Sequence, residues 1–380
     1  MPMTDFRFIH TADLHLGRRF GNLPDEVRGR LAEARHQSLD RLAEAALRHR
    51  AGHILVAGDI FDTETPSDPV WRQALSRMGA DGSVHWWLIP GNHDSLAAES
   101  LWSRVRHHAP PNVHLIDDAE PIKIAPSVVL LPTPLPRRYP GRDLTLGMAA
   151  WETGPGVLRI GLAHGAVQSF SEDGGRDDDI IPPDRAVTAR LDYLALGDWH
   201  GHLRIAERTW YSGTPERDGF RHGGPGVCLA VTLTAPGALP EVSVVPTGRF
   251  TWTDHGLPLV PGQDPEAALL ALLPPDRAAR RDHLMQIRVT GRATLSEQAA
   301  LRDAASAVEP EFCHFRLETE GLETEFEAAD LDQIDQAGAL RLAADRLRAG
   351  AEDTSRDSAS RRISAAALNR LYGYLKDDGG

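Results

Sequence analysis

The sequence predicts an α/β fold: a layered αββα sandwich followed by a small α+β unit and a helical C-terminal tail. Three observations point there. Strand and helix patterns alternate through about the first 90 residues as two βαβ units. Short apolar runs between Pro- and Gly-rich turns follow, to about residue 245. Asp, His and Asn residues stand just past the ends of several predicted strands, where open α/β sheets gather their binding sites.

Residues 6–10 read as a short first strand, and the loop 11–23 after it carries Asp13, His15, Arg18 and Arg19. Val27, Leu31, Ala34, Leu39, Leu42 and Ala46 recur at helical spacing, so 24–50 contains an amphipathic helix. Residues 54–62 form an apolar run with β-branched Ile54 and Val56, a buried strand whose closing Gly58-Asp59 step delivers a carboxylate to the sheet edge. A helix over 69–78 leads to a strand over 84–89. Strands follow near Ile122 and over 128–131 and 157–162, and the acidic stretch 171–179 reads as a solvated loop. Further strands fall at 193–196, 209–212, 227–233 and 242–245. A βαβ beginning and an antiparallel finish suggest two packed sheets with helices outside.

The 380 residues, 41% hydrophobic, exceed one ordinary core. The expected division is a catalytic region over 1–250, an α+β unit over 251–328 and a helical tail over 329–380. The α+β unit carries a helix at 267–273, a strand at 283–289, a helix at 295–308 and a strand at 312–318. Helices at 331–349 and 364–375 flank a polar linker at 352–361 in the tail. No apolar run approaches the roughly 18 residues of a membrane span, and the N-terminus lacks a basic segment leading into an apolar one, so a cytoplasmic protein is expected. Cys228 and Cys313 are far apart with no CxxC, which predicts buried reduced thiols, not a disulfide or a thiolate zinc site. The net charge of −13 argues against coating nucleic acid by bulk electrostatics, though not against an enzyme that cuts it. Lys123 and Lys376 are the only lysines, so the positive charge is nearly all arginine, the side chain shaped for bidentate phosphate contacts. Composition bias accounts for the larger share of that.

The chemistry lies in five stretches: Asp13-Leu14-His15, Gly58-Asp59, Gly91-Asn92-His93-Asp94, Ala163-His164-Gly165 and Gly197-Asp198-Trp199-His200. Each follows a predicted strand. A lone Asp-x-His is more often a turn or cap, and a lone strand-end His more often structural. Five together give oxygen and imidazole donors suited to Mn2+, Fe, Zn2+ or Mg2+. Asp59 at its strand end can offer one oxygen to each of two cations.

This set, in this order over about residues 5–215, resembles the calcineurin-type metallophosphoesterases. The resemblance implies their αββα sandwich and two divalent metal ions, Mn2+ foremost. Asp13, His15, Asp59 and His200 would hold the first ion, and Asp59, Asn92, His164 and Asp198 the second. His93 would protonate or stabilise the departing oxygen. Asp62 matches the carboxylate that orients His93 and reads equally well as a helix N-cap. The family's usual Gly-His-x-His is Gly197-Asp198-Trp199-His200 here, and a carboxylate in place of an imidazole favours harder ions, Mn2+ above Zn2+. Alternatively His202 or a water completes that shell.

More finely, residues 9–17, 57–62, 193–197 and 211–216 are similar to the nuclease subunits of the SbcCD branch. That likeness implies a Mn-dependent DNA nuclease, endo- or exonucleolytic, hydrolysing phosphodiesters in DNA repair. Arg18 and Arg19 would then contact phosphate, the α+β unit would cap the site, and the tail would bind an SbcC-like ATPase. Leu340, Leu342, Ala343 and Leu347 would equally serve packing within the chain. A metal-dependent phosphatase or small nucleotide phosphodiesterase is the enzymatic alternative. A non-catalytic scaffold is the third reading; it predicts lost ligands, and one position alone has changed, to another ligand.

Overall fold

The structure, a computed structural model, describes residues 5–167, 179–325 and 338–377. The acidic stretch 171–178 and the start of the predicted tail helix, 331–337, lie outside the described residues. The chain divides into two compact units, Met1–Thr251 and Trp252–Gly380.

The first unit opens with β1 (Phe6–Thr11), α1 (Asp25–Arg48), β2 (His53–Ala57), α2 (Asp68–Met78), β3 (His85–Ile89), α3 (Glu99–His108) and β4 (Val113–Leu115). It continues through β5 (Ile122–Ala125), β6 (Val128–Thr133), β7 (Leu158–His164), α4 (Arg185–Thr188), β8 (Tyr193–Gly197), β9 (Leu203–Ala206), β10 (Thr209–Tyr211), β11 (Val227–Leu233) and β12 (Glu241–Pro246). Two six-stranded sheets result, ordered β12-β11-β1-β2-β3-β4 and β5-β6-β7-β8-β10-β9.

The continuous apolar reading of β2 has a simple cause: both its faces are buried. Ile54 and Val56 pack with Leu39 and Leu42 of α1 and Trp71 of α2, while Leu55 and Ala57 pack with Leu130, Ile160 and Leu162 of the other sheet. The outer face of the second sheet, through Leu131, Leu194 and Leu196, is covered by Met148, Ala186 and Ala189 from short helical segments. The sandwich is therefore layered as the sequence predicts. Buried His10 on β1 ties the sheets together, with Nδ1 3.0 Å from the Tyr193 hydroxyl and Nε2 3.1 Å from Leu196 O.

The antiparallel finish holds for part of the chain: β11 pairs antiparallel with β1 and with β12 in the first sheet. In the second sheet β6, β7, β8 and β10 run parallel, and antiparallel pairing there is confined to β5 with β6 and β9 with β10. Parallel neighbours need long crossovers, and the sequence between β6 and β7 and between β7 and β8 carries little helical periodicity to betray that role. Helix α3 carries no clear sequence signal either, since it opens at Ala98 without a side-chain cap.

In the second unit, β13 (Thr251–Leu259), β14 (His283–Thr294) and β15 (His314–Glu325) form a three-stranded sheet. It is accompanied by α5 (Pro265–Leu270), α6 (Arg277–Arg280) and α7 (Leu295–Val308). Thr294 and Glu297 cap each other's backbone at the start of α7. The tail helices are α8 (Ala339–Glu352) and α9 (Ser358–Asp377), and the linker between them is shorter than the sequence predicts. They bury Ala344 and Leu368 against Leu295 and Ala299 of α7, with Leu347 partly buried beside them, whereas Leu340 and Leu342 are exposed. Cys228 and Cys313 are both buried.

Candidate metal centre

The five polar stretches meet at the carboxyl ends of β1, β2, β3, β7 and β8. Backbone pairing carries the first two beyond their strands: the Asp13 amide donates to Gly58 O at 3.1 Å and the His15 amide to Asp59 O at 3.0 Å. Asp13, His15 and Asp59 have φ of 54°, 43° and 54°, and Asp198 has 104°. Left-handed backbone at non-glycine residues costs about 1–3 kcal/mol each and gathers at functional sites.

Two glycines allow the close approach. A Cβ on Gly58 would lie 2.2 Å from His164 Nδ1, and one on Gly91 would lie 2.1 Å from Asp59 Oδ1. That is why the motifs read Gly-Asp and Gly-Asn-His.

Asp59 sits in the middle. Its Oδ1 accepts the His93 amide at 2.9 Å, and its Oδ2 lies 3.6 Å from both His15 Nε2 and His164 Nε2. His164 Nε2 is also 2.8 Å from Asn92 Oδ1 and 3.9 Å from Asp198 Oδ1, while its Nδ1 meets Ala57 O at 2.8 Å. A carbonyl only accepts, so Nδ1 carries the proton and Nε2 is the donor atom offered to the site. His15 Nε2 lies 3.1 Å from His200 Nε2, and the Asp13 carboxylate accepts the Asp198 amide at 3.0 Å.

Asp13–His15–His200, His15–Asp59–His93 and Asp13–Asp59–His164 are each close enough to share one ion. The first falls within the expected first shell. The third draws on both expected shells, and the second includes His93, which stands outside the ligand set expected from the sequence. Asp198 lines the cleft, whereas His202, the alternative, is exposed.

The electrostatics suit a cation. Burial pushes the Asp13 carboxyl well above its usual range, and the Asp59 and Asp198 carboxylates add to this while His200 opposes it. Burial drives the His15 imidazole down to about 3 against its Asp62 contact, and lowers that of His164. Crowded carboxylates among neutral imidazoles form a donor set whose repulsion a divalent cation relieves, so the residues fit such ions.

Several supporting residues carry no sequence signal of their role. Asp218 Oδ2 lies 2.9 Å from His200 Nδ1, fixing that ring as carboxylates fix metal-binding histidines. Although burial pushes it up, the Asp218 carboxyl is held well below its usual range by His200, Arg35 and Arg18. Arg35, buried on α1, donates to Leu14 O at 2.5 Å and lies 3.5 Å from Asp218. Asp94 accepts the Gly91 and Phe61 amides at 2.7 and 2.9 Å, joining the loops after β2 and β3. Glu216 accepts the Arg249 and Phe250 amides and pairs with Arg41 at 2.6 Å.

The structure also places the remaining expected residues. The Asp62 carboxylate lies 3.3 Å from His15 Nδ1 and 3.6 Å from Arg18, and it is the Asp62 carbonyl that meets His93 Nδ1, at 3.0 Å. Arg18 lines the cleft, a cavity of about 360 Å³ shared with Asp59, Asn92, His93, Asp198 and His200, but Arg19 is exposed and outside that lining.

Residues 6–185 match the model of the calcineurin-like phosphoesterase family. The chain is 30% identical over 214 residues to the uncharacterized metallophosphoesterase YhaO of Bacillus subtilis, covering 52% of this chain and 49% of that one. It is 37% identical over 95 residues to the SbcD component of the nuclease SbcCD of Escherichia coli K12, covering 24% and 22%. The SbcD component of the Rhodobacter capsulatus nuclease is 27% identical over 355 residues, 79% of this chain and 84% of that one. The matches thus span about half of YhaO and under a quarter of the Escherichia coli protein. With the strand-end ligands and their placement around Asp59, the chain carries a calcineurin-like metallophosphoesterase domain and has SbcD-type nucleases among its relatives.

Proposed function

We propose that the chain is a Mn2+-dependent DNA nuclease that hydrolyses phosphodiesters in DNA repair. The observation that carries this reading is the place of Asp59: its carboxylate lies 3.6 Å from one imidazole on each side, where a ligand shared by two ions would stand. Asp13, His15, Asp59 and His200 would hold one ion and Asp59, Asn92, His164 and Asp198 the other. When bound, such a pair polarises a phosphate ester and lowers the pKa of an attacking water. Asp198 adds negative charge at the second position and favours Mn2+ over Zn2+.

His93, its Nδ1 engaged by the Asp62 carbonyl, presents Nε2 to the leaving oxygen. Arg18 and Arg19 contact substrate phosphates. The α+β unit over 251–328 acts as a cap on DNA, and the tail over 329–380 offers an SbcC-like ATPase its exposed Leu340 and Leu342.

The direct test compares p-nitrophenyl phosphate, its bis-ester and single-stranded DNA in one Mn2+ buffer. Cleavage of DNA and the bis-ester above the monoester is expected. Preference for the monoester, with DNA intact, would instead assign a phosphatase.

A further inference from the structure

The cleft has a wall that the metal chemistry does not use. After β10 the chain runs past the metal centre and is fastened to it at several points. The Thr214 hydroxyl donates to Asp13 O at 2.9 Å, Arg217 donates to His200 O at 2.5 Å, and Asp218 holds the His200 ring. Gly219, Phe220, Arg221 and His222 then line the same cleft as the candidate ligands, together with Arg18.

Trp199, between Asp198 and His200, supports this wall. The Arg221 guanidinium lies 5.5 Å from the centre of its ring, and the His222 ring meets it edge-on at 4.6 Å. Gly201 leaves room for the arrangement, since a Cβ there would come within 2.9 Å of Trp199 Nε1 and 3.0 Å of His222 Nδ1. The wall thus rests, through Trp199, on the short stretch that carries two candidate ligands.

Cation and aromatic surfaces side by side are what a nucleotide presents complements to: a phosphate for the guanidinium and a base face for a ring. A simple phosphate ester, once its phosphorus is over the metal centre, has nothing to place there. The geometry points to a nucleotide subsite formed by Phe220, Arg221 and His222 on Trp199, which binds the phosphate and base adjoining the scissile phosphodiester. This rests on the phosphodiesterase reading and deepens it, because it selects nucleotide-bearing diesters over plain ones.

The test uses the full chain with Mn2+ and two diesters that release the same p-nitrophenolate: thymidine 3′-phosphate 5′-p-nitrophenyl phosphate, which carries an adjoining phosphate and base, and methyl p-nitrophenyl phosphate. The wild type is expected to favour the thymidine ester. Arg221→Ala and Phe220→Ala are each expected to cut that preference, the ratio of the two kcat/KM values, by about tenfold, through KM for the thymidine ester. Calorimetric titration with thymidine 5′-monophosphate should show weaker binding in the same variants. If the wild type hydrolyses both esters with equal efficiency, or the variants leave the ratio unchanged, the subsite is overturned and the phosphodiesterase reading stands. If neither ester is hydrolysed, both fall.

Discussion

His93 Nδ1 lies 3.0 Å from the carbonyl oxygen of Asp62, so backbone helps to hold the ring. The carboxylate lies between His15 and Arg18. Removing the Asp62 side chain should therefore leave the His93 ring engaged, while removing His93 removes the proposed proton donor. Asp62→Ala is expected to keep phosphodiester kcat within about tenfold, and His93→Ala to lose about 10²–10⁴-fold. Steady-state kinetics on the bis-ester checks this; equal losses would return the orienting role to the carboxylate.

Gly91 has no room for a side chain, because a Cβ would meet Asp59 at both Oδ1 and the amide, 2.1 and 2.5 Å away. Gly91→Ala is expected to displace the Asp59 carboxylate and weaken Mn2+ binding at least about tenfold, an effect typical of disturbed ligand support. Calorimetric titration of metal-stripped protein measures it, and unchanged affinity would show that Asp59 does not depend on that approach.

Asp218 reaches His200 Nδ1 at 2.9 Å. Asp218→Asn should lower Mn2+ affinity about 10–100-fold by losing the charge that orients and enriches the imidazole. Paramagnetic resonance of free Mn2+ against protein concentration reports the change directly, and a wild-type curve would mean that His200 needs no such partner.

Away from the centre, His53, His85 and His114 stack across β2, β3 and β4, and Trp87 Nε1 donates to His53 Nδ1 at 3.1 Å. Burial first, then His85 and His114, pushes His53 from 6.5 down to about 4. The unfolded chain therefore binds a proton that the folded one refuses in that window. Stability is full above pH 6.5 and falls as pH drops towards about 4. His53→Gln should reduce the loss between pH 7 and 5 by on the order of 1–2 kcal/mol. Thermal melts at the two pH values check it, and an unchanged slope would place the acid sensitivity elsewhere.

Much of the site was legible because its ligands follow strands whose apolar runs are themselves legible: Asp59 after β2, Asn92 after β3, Asp198 after β8. What supports those ligands was not. Arg35 reads as one polar residue on an amphipathic helix, yet it is buried, because only the folded chain brings Leu14 O and Asp218 to it. Asp218 follows Pro215 and Glu216 in what reads as a turn, and its link to His200 is tertiary. The parallel core of the second sheet was hidden for a related reason: its crossovers lack the regular apolar stripe that marked α1.

Asp59 carries the central claim, and one experiment addresses it most directly. Metal-stripped wild type and Asp59→Ala are titrated with Mn2+ in the presence of end-labelled linear and circular single-stranded DNA, and cleavage is read on a gel. Mn2+-dependent cutting by the wild type, lost in Asp59→Ala, is the expected result. Equal cutting by both proteins, or intact DNA at saturating Mn2+, would contradict a DNA nuclease built on a shared Asp59.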